Sequence, residues 1–121
     1  MWGRATIKRA HPEDDECLAL VQHIELRKRP GLVYWHVPNE GKRGRAWAGR
    51  LKAMGLRSGV SDYIFLRHGR VFALEYKREK GRPTTEQMTF ILDFEAAGGF
   101  GAVVYGIDQA LAKLVAWDLL T

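Results

Sequence analysis

GVSDYIFLRHGRVFALEYKREKGRPTTEQ, residues 59–87, decides how the rest of this 121-residue chain is read. Two strand-like runs, 62–67 and 70–77, flank a tight turn centred between His68 and Gly69. If Arg67 pairs with Arg70 across the turn, Leu66 faces Val71 and, counting outward, Asp62 faces Glu75. Directly opposed residues of an antiparallel pair lie about 4.5–5.5 Å apart at Cβ. Two carboxylates that close repel each other unless something positive sits between them. A divalent metal answers that need economically.

Side chains alternate along a strand, so Val71, Ala73, Glu75 and Lys77 share one face and Phe72, Leu74 and Tyr76 the other. Such a strand is apolar on both faces and then ends in Glu-x-Lys, placing charge where a sheet opens to solvent. With Asp62 opposite Glu75, three ionisable groups converge. Carboxylates suit hard, oxygen-preferring cations such as Mg²⁺ or Mn²⁺. Lys77 adds a fixed positive charge. Together they meet the needs of phosphodiester hydrolysis: a metal to polarise the phosphoryl oxygen and a lysine to stabilise developing negative charge. The alternative is plain: two solvent-facing charges at a strand end and an aspartate capping a turn. Glu-x-Lys alone is common.

Outward from this stretch, residues 12–29 read as a helix. Pro12 suits the first helical position, and Glu13, Asp14, Asp15 and Glu16 favour the positive end of the dipole. Arg27, Lys28 and Arg29 suit the other end, and Pro30-Gly31 stops it. Cys17, Leu20, Val21 and Ile24 form its buried stripe. At about 100° per residue, Glu13 lies roughly 30° from the centre of that stripe, Asp14 roughly 70° and Glu16 about 90°. Glu13 is therefore the acid that points most nearly along the buried face.

Residues 32–37 (LVYWHV) read as a strand, followed by a polar, glycine-flanked loop from Pro38-Asn39-Glu40-Gly41 to Gly44. A short helix is expected over 45–54, with Trp47, Leu51 and Met54 on one side. After the hairpin and a basic connection, Thr84-Thr85-Glu86-Gln87 fits a capping box that opens a helix to Ala97. Residues 102–107 (AVVYGI) form an apolar strand, and Asp108 can cap a last helix bearing Leu111, Leu114, Val115 and Leu119. The order is α-β-α-β-β-α-β-α. A hairpin followed by a helical crossover implies an α/β fold, a mixed sheet with helices packed on its faces.

The whole chain reads as one domain over 1–121. No apolar run reaches the roughly 18–20 residues of a membrane span, and MWGRATIKRA lacks the apolar core of a signal peptide. The single cysteine, Cys17, excludes an internal disulfide framework and fits a reducing cytoplasm. The net charge of +5 makes a polyanionic partner plausible. Residues 27–57 hold nine Lys or Arg against one acid, Glu40. A solvated basic face is the bland explanation, and Trp35 and Trp47 are compatible with core positions.

Gly59-Val60-Ser61-Asp62, Leu74-Glu75-Tyr76-Lys77, Gly81 and Thr85-Glu86-Gln87 jointly resemble the VRR-NUC domain of the PD-(D/E)XK nuclease superfamily. The resemblance extends from Glu13 to the C-terminal strand and helix. It implies a restriction-endonuclease-like sheet in which Asp62, Glu75 and the main-chain carbonyl of Tyr76 bind Mg²⁺ or Mn²⁺. Lys77 would be the catalytic lysine and Glu13 the first-helix acid of the metal site. Gln87 would point toward the site, although its place in a capping box is reason enough for it. Ser61 stands where the family has proline, Tyr76 where it has an aliphatic residue, and Cys17 where it has a polar one.

The resemblance further implies a DNA endonuclease selective for branched or junction DNA in repair, recombination or phage replication. It would act as a homodimer in the cytoplasm, without a small-molecule cofactor. Lys42, Arg43, Arg45, Arg50, Lys52, Lys80 and Arg82 are the candidate phosphate contacts. The competing expectation is a nucleic-acid-binding module that keeps the fold and does not cut.

Overall fold

His68 and Gly69 both adopt positive φ, 51° and 79°, as a two-residue hairpin turn of the I′ type requires. The computed structural model, which describes residues 12–38 and 45–121, places that turn between β2 (Tyr63–Arg67) and β3 (Arg70–Lys77). The register is the expected one: Arg67 opposite Arg70, Leu66 opposite Val71 and Tyr63 opposite Leu74. Asp62 lies just before β2 rather than inside it, and continuing the register sets it opposite Glu75.

β1 (Val33–His36) pairs antiparallel with the free edge of β2, and β4 (Phe100–Tyr105) pairs parallel with β3. The sheet is thus mixed, in the order β1-β2-β3-β4. A parallel neighbour needs a crossover, supplied here by helix α3 (Thr85–Ala96). Helices α1 (Pro12–Arg27), α2 (Arg45–Ala53) and α4 (Gly106–Ala116) complete the order α-β-α-β-β-α-β-α. No helix among the described residues is long and apolar enough to cross a membrane.

The pleat divides the sheet into two unlike faces. Tyr63, Phe65, Phe72, Leu74, Tyr76 and Val104 point to the side where α1 brings Leu20 and Ile24 and α4 brings Ala110 and Leu114. Cys17 and Val21 pack beside them, as the helical stripe predicts. Leu119 and Leu120 close this core from the tail. On the opposite face α3 lies over β3 and β4. The approach is close: a Cβ on Gly101 would sit 2.9 Å from Ile91 Cγ2.

Arg67 fastens three segments at the turn end of the sheet. Its guanidinium donates to the carbonyls of Pro30 and Asp118, both at 3.0 Å. Asp118 also pairs with Arg29 at 2.8 Å.

Three expectations change. Asp108 does not cap the last helix. The chain leaves β4 directly into it at Gly106, whose φ of 85° makes the corner, so Asp108 falls in the first turn. The Tyr105 amide is satisfied by Gln109 Oε1 at 3.0 Å instead. Trp35 and Trp47 are not core, being 48% and 45% exposed. The strand expected over 102–107 runs two residues earlier, because its pairing with β3 begins at Phe100. Asn39 to Gly44, including Lys42 and Arg43, and the side chain of Arg45 lie outside the described residues.

Candidate active site

The hairpin register delivers its two carboxylates to the open end of β3. Asp62 Oδ2 accepts the Tyr76 amide N–H at 2.7 Å, so aspartate and strand end are tied through the backbone. Its own carbonyl accepts the Val37 amide at 2.8 Å and lies 2.9 Å from His36 Nδ1, which anchors it to the end of β1. Glu75 is only 1% exposed. Lys77 Nζ stands 3.3 Å from Glu75 Oε2, while Glu75 Oε1 is buried with no hydrogen-bond partner.

Burial is the largest influence on both acids. It disfavours charge and raises Asp62 above the usual carboxylate range, against the Tyr76 amide and Lys77, which pull the other way. Glu75 is pushed up to about 8 by burial and then by the charge of Asp62, with Lys77 opposing. The end of β3 thus resists full ionisation of both carboxyls at once.

Glu13 comes to the same place from α1. Burial raises its carboxyl, Lys77 and the backbone N–H of Arg78 stabilise its charged form, and Asp62 works against it. Glu16, one turn on, accepts the hydroxyl hydrogen bond of Tyr76 and lies 4.0 Å from Arg78 Nε. Cys17 is pushed up to about 11 by burial, with the Tyr63 hydroxyl opposing, which keeps it a thiol. Glu13, Glu16 and Lys77 line a cleft of about 640 Å³ together with Arg78, Lys80 and Arg82. The α1 wall is acidic, while the wall that continues from β3 is mostly basic with Glu79 among its cations.

A second hollow, of about 310 Å³, borders Asp62 on the side of α2 and includes Lys52 and Gln87. Gln87 does what its spacing predicts. Its Oε1 accepts the Thr84 amide at 2.8 Å and its amide donates to Thr84 Oγ1 at 3.1 Å, completing the capping box. Gly59 is pressed onto that first turn: a Cβ there would lie 2.4 Å from the carbonyl carbon and oxygen of Glu86. Its φ is +80°. This contact sets the approach of the segment that carries Asp62.

The structure thus brings Glu13, Asp62, Glu75 and Lys77 to one end of the sheet and gives Gln87 a structural task at its edge. Arg50 and Lys52 are exposed on α2, and Lys80 and Arg82 lie on the cleft wall. Glu16 was not singled out by the sequence, because on a helical wheel it sits about 90° from the buried stripe. Among the described residues no three His, Cys, Asp or Glu side chains converge closely enough to enclose a metal. A buried carboxylate, Glu75, with one oxygen lacking a partner, beside the half-buried Asp62 nevertheless suits Mg²⁺, which keeps several waters and takes one or two carboxylates.

No family model matches the sequence, and no curated protein matches it. Solved structures do. A "VRR_NUC domain protein" superposes with a TM-score of 0.71 at 20% identity, over 87% of this chain and 86% of that one. A second, a "VRR_NUC domain", gives 0.59 at 21% identity over 88% of this chain and 97% of that one. The chain has the fold of the VRR_NUC domain proteins.

Proposed function

We propose that this protein is a divalent-metal-dependent DNA endonuclease that cuts branched or junction DNA as a homodimer. The observation that carries the reading is the buried Glu75, set opposite Asp62 and 3.3 Å from Lys77 at the mouth of a charged cleft. A fold shared with nuclease-type domains supports it. Asp62, Glu75 and the Tyr76 carbonyl would hold Mg²⁺ or Mn²⁺, with Glu13 at its margin. Such a cation supplies Lewis-acid polarisation of a phosphoryl oxygen and neutralises charge.

The chain's own groups do the rest. Lys77, 14% exposed and anchored by Glu75, presents a fixed ammonium to the phosphoryl oxygens as negative charge develops on them. Arg78, Lys80 and Arg82 hold flanking phosphates along the cleft, and Arg50 and Lys52 extend the basic surface across α2. In a homodimer, two such sites would reach two strands of one junction.

Incubation with labelled four-way junctions, flaps, linear duplex and single strands, in Mg²⁺ or Mn²⁺, tests this reading. Junctions or flaps should be cut, and Lys77→Ala should lose at least 10³-fold in rate while binding DNA as before. Binding without cutting of any substrate, by folded protein, would leave only the non-cleaving module. Each of Lys52→Ala, Lys80→Ala and Arg82→Ala should weaken binding across sequences and lower the salt slope by about one. An unchanged slope removes that residue from the interface.

A further inference from the structure

We propose that Glu16 is a positioning residue: by accepting the Tyr76 hydroxyl, it holds the first turn of α1, and with it Glu13, against the site. The proposal rests on the nuclease reading and concerns how its metal-binding end is assembled. Tyr76 is fully buried, with its phenol passing under the sheet toward α1, and its hydroxyl meets the Glu16 carboxylate. The same residue's amide donates to Asp62, and its chain neighbours are Glu75 and Lys77. Tyr76 is therefore the residue through which the hairpin carboxylates and the helix acids are joined.

The remainder of α1 is held differently. Leu20 and Ile24 bury its later turns in the core shared with α4, but they lie two to three turns from Glu13. At the helix start the sheet presents polar groups: the Tyr76 hydroxyl donates to Glu16, while the Arg78 amide faces Glu13 and the Tyr63 hydroxyl faces Cys17. Helix ends fray readily, because their first N–H groups have no partner inside the helix. A charge-assisted bond from a fully buried phenol is the strongest of these ties. Glu16 also lies 4.0 Å from Arg78 Nε.

The test uses the whole protein without metal, then with Mn²⁺. Hydrogen exchange of the Arg78 amide, followed by NMR, reports whether Glu13 stays in place. Tyr76→Phe and Glu16→Ala should each speed that exchange at least tenfold while leaving the Leu74 amide in the core of β3 unchanged. Mn²⁺ affinity by calorimetry should fall at least fivefold in both variants. Glu16→Gln, which keeps an oxygen to accept the phenol but not its charge, should fall between the parent and Glu16→Ala in both measurements. Unchanged exchange and affinity in Tyr76→Phe and Glu16→Ala, even with a lower Tm, would overturn the proposal and leave the bond a support of the fold. So would a Glu16→Gln variant as impaired as Glu16→Ala. If the parent binds no Mn²⁺ yet Arg78 exchange responds as stated, the nuclease reading falls and the positioning of Glu13 by Glu16 stands.

Discussion

Replacing Glu75 with glutamine should raise the Tm of the metal-free protein at pH 8 while abolishing both cleavage and stabilisation by Mg²⁺ or Mn²⁺. Glutamine keeps the size of the side chain and a donor toward Asp62, and it removes a charge that the site disfavours. The sign follows from proton binding. Burial and Asp62 hold the Glu75 carboxyl at about 8 in the folded chain, against an ordinary value of 4.5. Between those limits the folded state keeps a proton that the unfolded state has released, so stability falls as pH rises, by up to about 1.4 kcal/mol per pH unit. Below pH 4.5 both states are protonated and the penalty is absent.

The variant lacks this penalty, so its advantage over the parent should be small at pH 5 and grow toward pH 8. A difference on the order of 3 kcal/mol corresponds to roughly 10 °C in Tm. A cation reverses the comparison. Asp62 and Glu75 would hold it as ionised carboxylates, so Mn²⁺ should stabilise the parent increasingly as pH rises and the variant not at all. Melting curves at pH 5, 6, 7 and 8, with and without Mn²⁺, give all of these results. A variant that melts below the parent at pH 8, with no effect of Mn²⁺ on either, would show that the pair is no cation site.

Gly59→Ala should cost far more stability than Gly69→Ala, although the two glycines share nearly the same backbone angle, +80° and +79°. At Gly69 an added methyl meets nothing within 4 Å, so the change costs only about 1 kcal/mol of left-handed strain. At Gly59 the same methyl would lie 2.4 Å from the Glu86 backbone and 2.8 Å from the Gln87 nitrogen. Backbone cannot swing aside as a side-chain tip can. The segment must lift from α3, for a total of about 2–4 kcal/mol. Asp62, three residues on, would move with it, so cleavage should fall as well. Urea denaturation of both variants measures the contrast; equal costs would mean that the contact yields easily.

Much of this was legible in the chain because local rules govern it. A two-residue turn fixes hairpin register, so Asp62 and Glu75 could be set opposite each other by counting. Thr84 and Gln87 announced their capping box through spacing alone. The stripe on α1 likewise set Glu13 nearest the buried face of the helix. What escaped depended on packing between distant segments. Tyr76 gave no hint that its hydroxyl would cross to Glu16, sixty positions away. Gly59 resembled any loop glycine until α3 lay against it. Asp108 had the right chemistry for a cap, but the corner at Gly106 started the helix before reaching it. Trp35 and Trp47 obeyed no rule that a single sequence could supply, since hydrophobic character does not specify which face is covered.

The contact between the last turn of α1 and the C-terminal tail has a consequence for folding kinetics. Arg27 and Thr121, 94 residues apart, exchange main-chain and side-chain hydrogen bonds. The β2–β3 hairpin closes over a two-residue turn, on the order of microseconds. Closing the α1–tail contact costs more loop entropy and comes later. The carboxylate pair thus belongs to a locally closed element, whereas the placement of the α1 acids depends on contacts of much longer range.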